Sequence, residues 1–218
     1  MNKHIIFDLD ETIGYFKQFI FILNIIELYH SIDYNIYFEL FDDYFRPQIF
    51  NIFEIILSKK KMKQIQYVIL YTNNNNNYFV DKVINYIHKR LNNNLFDHII
   101  TYNSNRLHKI KSYEDLIYCI PDIKNDLLCF IDDKIHICMK SNLNVSYIKC
   151  EKYIHHLSND DIINRLIILN PNYNKTHIKS ILKKFKHSKK ELPKTVHNYS
   201  SKKMLQHIEI FIYDIPII

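Results

Sequence analysis

The run His4-Ile5-Ile6-Phe7-Asp8-Leu9-Asp10-Glu11-Thr12 decides how this chain is read. A β-branched and aromatic segment of strand length ends in two carboxylates one residue apart, so the backbone tightens with Asp8 and Asp10 on one side. Two acids that close would repel, and at least one pKa would rise unless a cation sat between them. An Asx-turn or helix cap needs only one of the two and has no use for Thr12.

Working outward, apolar runs of similar length recur at residues 67–71, 98–102, 127–131 and 145–149, and helical patterns separate most of them. Val80, Val83, Ile84, Ile87 and Leu91 share one helical face, with Asp81 near its start and Lys89 and Arg90 near its end, as the helix dipole favours. Pro47 suits the first turn of a helix carrying Phe50, Phe53 and Leu57, and shorter helices are predicted at 113–119 and 160–169. Alternation of this kind predicts an α/β fold, a mostly parallel central sheet flanked by helices with its chemistry outside the carboxyl ends of the strands. Residues 15–46, rich in Phe, Tyr and Ile, are expected as a small cap or flap inserted after the first strand, built of one or two helices or a helix and a hairpin.

Three further strand ends carry polar groups. Asp132 and Asp133 close the 127–131 run, and four carboxylates converging from two central strands would make a hard oxygen site suited to Mg²⁺. Thr72 and Asn73 follow the 67–71 run, where a hydroxyl and backbone N–H groups can hold phosphate oxygens. Lys111, ahead of the last acid pair, would neutralise phosphate charge as a compact ammonium, with Lys109 competing for that role.

Acid pair, hydroxyl, lysine and acid pair, in that order, resemble the four motifs of the haloacid dehalogenase (HAD) superfamily over residues 3–150. Within it, Asp8-Leu9-Asp10-Glu11-Thr12, Arg46-Pro47, Leu70-Tyr71-Thr72-Asn73 and Asp115-Leu116 are similar to the phosphatases of the RNA polymerase II C-terminal domain and to HAD-like proteins of large DNA viruses. Gln48 stands where that branch has Gly, Ser112-Tyr113-Glu114 separates the lysine from Asp115-Leu116, and the usual Pro after the last motif is missing. The resemblance implies a Rossmannoid phosphatase domain at 1–170. Asp8 would be the nucleophile and Asp10 the acid and base. Mg²⁺ would sit on Asp8, the Asp10 carbonyl, Asp132 and Asp133, and Thr72, Asn73 and Lys111 would bind the phosphoryl oxygens.

Of 218 residues only one is Gly and five are Pro, while 47% are hydrophobic, enough for one sizeable core. The net charge of +6 is concentrated in residues 171–218, where ten lysines face three acids. This extension reads as a helix followed by a strand at 208–212 that could pair with a sheet edge or another subunit. Its lysines could engage nucleic acid or an acidic partner, which keeps a nucleic-acid end phosphatase and a non-catalytic scaffold beside the phosphoprotein phosphatase. Cys119, Cys129, Cys138 and Cys150 lack metal or redox spacing and read as reduced thiols of a cytoplasmic protein, with nuclear or virion location left open. No signal peptide or membrane span is expected.

Overall fold

The computed structural model describes residues 1–186 and 190–213. In chain order they form β1 (Lys3–Phe7), α1 (Lys17–Ile26), α2 (Tyr34–Leu40), α3 (Ile49–Lys61), β2 (Tyr67–Tyr71), α4 (Asn77–Arg90) and β3 (His98–Ile100). There follow α5 (Tyr113–Cys119), β4 (Leu127–Asp132), α6 (Ile137–Lys140), β5 (Val145–Lys149), α7 (Asn159–Leu169), α8 (Lys175–Leu182) and α9 (Lys194–Tyr213). The five strands make one all-parallel sheet in the order β3-β2-β1-β4-β5, a Rossmann-like arrangement in which the chain reverses direction across the sheet between β1 and β4.

β1 sits in the centre with both faces covered, which is why it reads as continuous apolar sequence. Ile5 and Phe7 enter the larger core with α1 to α4 and α7 to α9, while Ile6 joins Ile69, Phe130 and Leu116 on the face covered by α5 and α6. Helix starts follow capping chemistry. Asn76, Ser112, Ser158 and Asn174 each accept a backbone N–H of their own first turn, at 3.1, 3.1, 3.1 and 2.9 Å.

Residues 15–46 form α1, α2 and a short 3₁₀ turn at Asp42–Tyr44. Phe19, Ile22, Phe38 and Phe41 lie in one core with Phe79 and Tyr86 of α4, so this insert is continuous with the domain it interrupts. Pro47 precedes α3 instead of occupying its first turn, because Gln48 intervenes with a left-handed φ of 64°. The third strand stops at Ile100, and Thr101 turns its backbone N–H to Ser104 Oγ at 2.9 Å.

The strand expected at 208–212 is a correction: those residues are the last turns of α9. Ile208, Ile210 and Ile212 alternate, but the buried positions are His197, Ser200, Ser201, Met204, Ile208 and Ile212, which share one helical face on the core. Among the described residues no helix is long and apolar enough to cross a membrane.

Candidate active site

Parallel register brings the strand ends level. Phe7 pairs with both Leu70 and Ile131, so Asp8, Tyr71 and Asp132 share one edge of the sheet. Asp8 donates its backbone N–H to Ile131 O at 2.9 Å, and Asp133 donates its own to Thr12 Oγ1 at 3.0 Å. Thr12 therefore binds the two acid motifs to each other.

The loop after β1 is held tightly. Glu11 has a φ of 66°, Glu11 N–H donates to Gly14 O at 2.7 Å, and Arg46 donates to the Thr12, Glu11 and Glu151 carbonyls at 2.5, 2.8 and 2.6 Å. The chain's single glycine lies where a Cβ would approach Tyr44 O to 2.6 Å, a distance no side chain tolerates.

One oxygen each from Asp8, Asp132 and Asp133 lies within 4.8 Å of the others, and all three residues are buried. Lys111 Nζ, also buried, donates to Asp8 Oδ1 at 2.5 Å and Asp132 Oδ2 at 2.8 Å. Lys134 N–H donates to Asp132 Oδ1 at 2.7 Å, and His136 Nε2 lies 3.2 Å from Asp132 Oδ2. Asp133 Oδ2 has no hydrogen bond, although Lys152 Nζ lies 3.7 Å away, at the same time 3.8 Å from Glu11 Oε2.

Burial is the largest influence on each of these groups, and the neighbours decide the outcome. Burial and Asp132 hold Asp8 above the usual carboxylate range against the opposing pull of Lys111. Burial also works to raise Asp132, yet His136 and Lys111 keep it low. Burial, then Asp8 and Asp132, push Asp133 up to about 6. Lys111 is kept above its ordinary value by Asp8 and Asp132 although burial acts against its charge. Three acids with one buried ammonium leave uncompensated negative charge, and the hydrogen-bond-free Asp133 oxygen faces that deficit. An all-oxygen donor set of this kind fits a hard divalent cation.

Asp10 stands beside this cluster and not within it. Its Oδ2 accepts from Asn74 Nδ2 at 2.9 Å, and burial followed by the charge of Asp8 raises its pKa to about 6. Thr72 is buried, and its Oγ1 accepts from Asn74 N–H at 3.1 Å. Lys111, not Lys109, reaches the acids: Lys109 is exposed and donates to Tyr102 O at 2.6 Å. Asn73 is present but its side chain is engaged, accepting from Arg106 Nη1 at 2.8 Å.

Arg106, Asn74, Lys152 and His136 were not legible as site residues. Arg106 and Asp115 form a fully buried pair at 2.7 Å, with Arg106 Nη2 on Tyr71 Oη at 3.1 Å and the His108 N–H on Asp115 Oδ1 at 2.9 Å. This network joins the loop after β2 to the loop that carries Lys111. A lone arginine in a polar loop gives no sign of such burial; the one hint was Asp115, four residues after Lys111.

No protein-family model matches this chain, and no curated protein matches it.

Proposed function

We propose that this protein is a phosphohydrolase of the haloacid dehalogenase type, Mg²⁺-dependent and working through an aspartyl-phosphate on Asp8. The observation that carries the reading is the meeting, at the carboxyl ends of β1 and β4, of Asp8, Asp132, Asp133 and the buried ammonium of Lys111.

Asp8 would attack phosphorus, forming a new oxygen–phosphorus bond as the bond to the leaving oxygen breaks. Asp10, with a pKa of about 6, carries a proton in an appreciable fraction of molecules near neutral pH and would deliver it to the leaving oxygen. The same carboxylate would then take a proton from the water that attacks the phosphorus of the intermediate, releasing phosphate and restoring Asp8. Asn74 holds Asp10 in place for both transfers. Lys111 and the Thr72 hydroxyl would bind phosphoryl oxygens, with the ammonium shifting part of its charge from Asp8 to the incoming group. Mg²⁺ held by Asp8, Asp132 and Asp133 would offset the repulsion between an anionic nucleophile and an anionic phosphate.

The decisive experiment is turnover of p-nitrophenyl phosphate, a phosphopeptide and a 3′-phosphorylated oligonucleotide with and without Mg²⁺. Metal-dependent release of phosphate supports the enzyme, and the preferred substrate separates a phosphoprotein phosphatase from a nucleic-acid end phosphatase. Absence of turnover on all three, together with salt-dependent nucleic-acid binding that survives Asp8→Asn, would replace the enzyme with a scaffold using its lysine-rich extension. A cytoplasmic location belongs to the same proposal and rests on the unpaired thiols of all four cysteines.

A further inference from the structure

Lys152 reaches the acid cluster, yet the proposed chemistry gives it no task. It follows β5, on a segment whose backbone is fixed on both sides of it. Cys150 donates its backbone N–H to Asp132 O at 3.0 Å, and Tyr153 donates its own to Glu11 O at 2.8 Å. Between them, Glu151 donates to Ser200 Oγ at 3.2 Å and accepts from Arg46 Nη2 at 2.6 Å. The segment is therefore tied to the end of β4 and to the loop after β1, the two places that carry the acids. It is the fold that puts a lysine here, more than the reach of a long side chain.

Two lysines serve the cluster in different ways. Lys111 has a side chain only 3% exposed and donates to Asp8 Oδ1 at 2.5 Å and Asp132 Oδ2 at 2.8 Å, the lengths of charge-assisted hydrogen bonds. The Lys152 side chain is 43% exposed, and its Nζ stands 3.7 Å from Asp133 Oδ2 and 3.8 Å from Glu11 Oε2, beyond hydrogen-bond length from both. What holds it there is Coulomb attraction from two carboxylates. An ammonium on a flexible four-carbon stem with one side in water leaves such a position at small cost.

Asp133 Oδ2 accepts no hydrogen bond, and Asp133 is one of the three acids that could hold a divalent ion. An ion using Asp133 would face the Lys152 ammonium across the same carboxylate, and like charges that close repel. We propose that Lys152 is a displaceable counter-ion of the acid cluster. In the metal-free protein its ammonium balances Asp133 and Glu11, and a divalent ion binds by driving it out toward solvent. Lys152 thereby stabilises the metal-free fold and lowers the affinity of the cluster for metal. This inference rests on reading the acid cluster as a divalent-metal site.

The test is calorimetric titration of the full chain with Mg²⁺ at pH 7.5 and low ionic strength, beside melting curves taken with EDTA and with Mg²⁺. Lys152→Met keeps most of the apolar stem and removes the charge, whereas Lys152→Arg keeps the charge. The Kd for Mg²⁺ should tighten by about three- to tenfold in Lys152→Met and stay within about twofold of the parent in Lys152→Arg, the difference shrinking as salt is raised. With EDTA, Lys152→Met should melt below the parent, and saturating Mg²⁺ should narrow that gap. Lys134 also acts on Asp133 through its charge but makes no ion pair among the described residues, so Lys134→Met should tighten the Kd less. Equal tightening in Lys134→Met and Lys152→Met would make net charge the cause and overturn the inference. An unchanged or weaker Kd in folded Lys152→Met would overturn it while leaving the metal site standing. If neither the parent nor Lys152→Met binds Mg²⁺, the metal site falls and the inference with it. None of these readouts depends on turnover.

Discussion

At the scale of single residues, the geometry separates groups that chemistry alone would treat as equivalent. Asp8 touches Lys111 and shares a cluster with Asp132 and Asp133, whereas Asp10 is turned to Asn74. Asp8→Asn keeps the shape and the hydrogen bond from Lys111 but removes the proposed nucleophilic oxygen. Turnover should fall below detection while far-UV circular dichroism and the melting profile stay near those of the parent, and ordinary rates after that substitution would remove Asp8 from the mechanism. Lys111→Met is a different kind of loss. It leaves Asp8 and Asp132 facing each other without their shared ammonium, and removing one partner of a buried ionic contact costs about 3–5 kcal/mol. The metal-free variant should unfold at markedly lower urea concentration, and Mg²⁺ should recover part of the stability without recovering turnover. The main acids could be read from sequence because each pair sits directly after an apolar strand. Asn74 and Lys152 could not, since their roles come from contacts with residues 64 and 19 or more positions away, and His136, four residues from Asp132, lies in a loop where that spacing carries no helical meaning.

The elements show how far such a site depends on loops it does not include. Arg106 lies in the connection between β3 and α5, yet its guanidinium holds Asp115 at the start of α5, Tyr71 at the end of β2 and Asn73 just beyond it. Arg106→Met should leave Asp115 as a buried carboxylate with reduced compensation, costing about 3 kcal/mol or more. If its role is to position the Lys111 and Thr72 loops, the variant should also lose kcat at temperatures where it is fully folded, with partial rescue by Arg106→Lys; an unchanged kcat in the folded variant would leave the pair a purely stabilising one. The strand and helix positions of the central domain were legible because both periodicities are strong there. The end of α9 was not: Ile208, Ile210 and Ile212 satisfy an alternating pattern, and the burial of Met204 one turn before Ile208, with Ser200, Ser201 and His197 further upstream, reveals the helical one. The 15–46 segment was equally ambiguous, because its Phe and Tyr side chains face a core shared with α4 instead of forming a self-contained pattern.

For the molecule as a whole, gathering three carboxylates in the interior has a consequence for stability as well as for the proposed catalysis. Asp133 is 2% exposed, and its pKa is raised to about 6 by burial, then by Asp8 and Asp132. A carboxyl that binds its proton more tightly in the folded state than in the unfolded one weakens the fold once it must ionise. Below about pH 4 folded and unfolded forms are both protonated and the group is neutral in its effect; between about pH 4 and 6 the unfolded form ionises first, and stability falls as pH rises. Full ionisation of a carboxyl raised this far corresponds to roughly 3 kcal/mol, an upper bound for this site. Metal-free protein should therefore gain stability on Asp133→Asn at pH 7.5, with the gain shrinking toward zero by about pH 4. With Mg²⁺ the sign should reverse, because the substitution removes a ligand. Saturating metal at about 100 times its Kd should add about 2.7 kcal/mol to the parent, a rise in melting temperature of about 5–10 °C for a chain of this size, and much less to Asp133→Asn. Melting curves for both proteins at pH 4.5, 6 and 7.5, each with EDTA or with Mg²⁺, would read all of these differences at once. A parent melting temperature indifferent to Mg²⁺ at pH 7.5 would show that the acids at the ends of β1 and β4 do not share a cation.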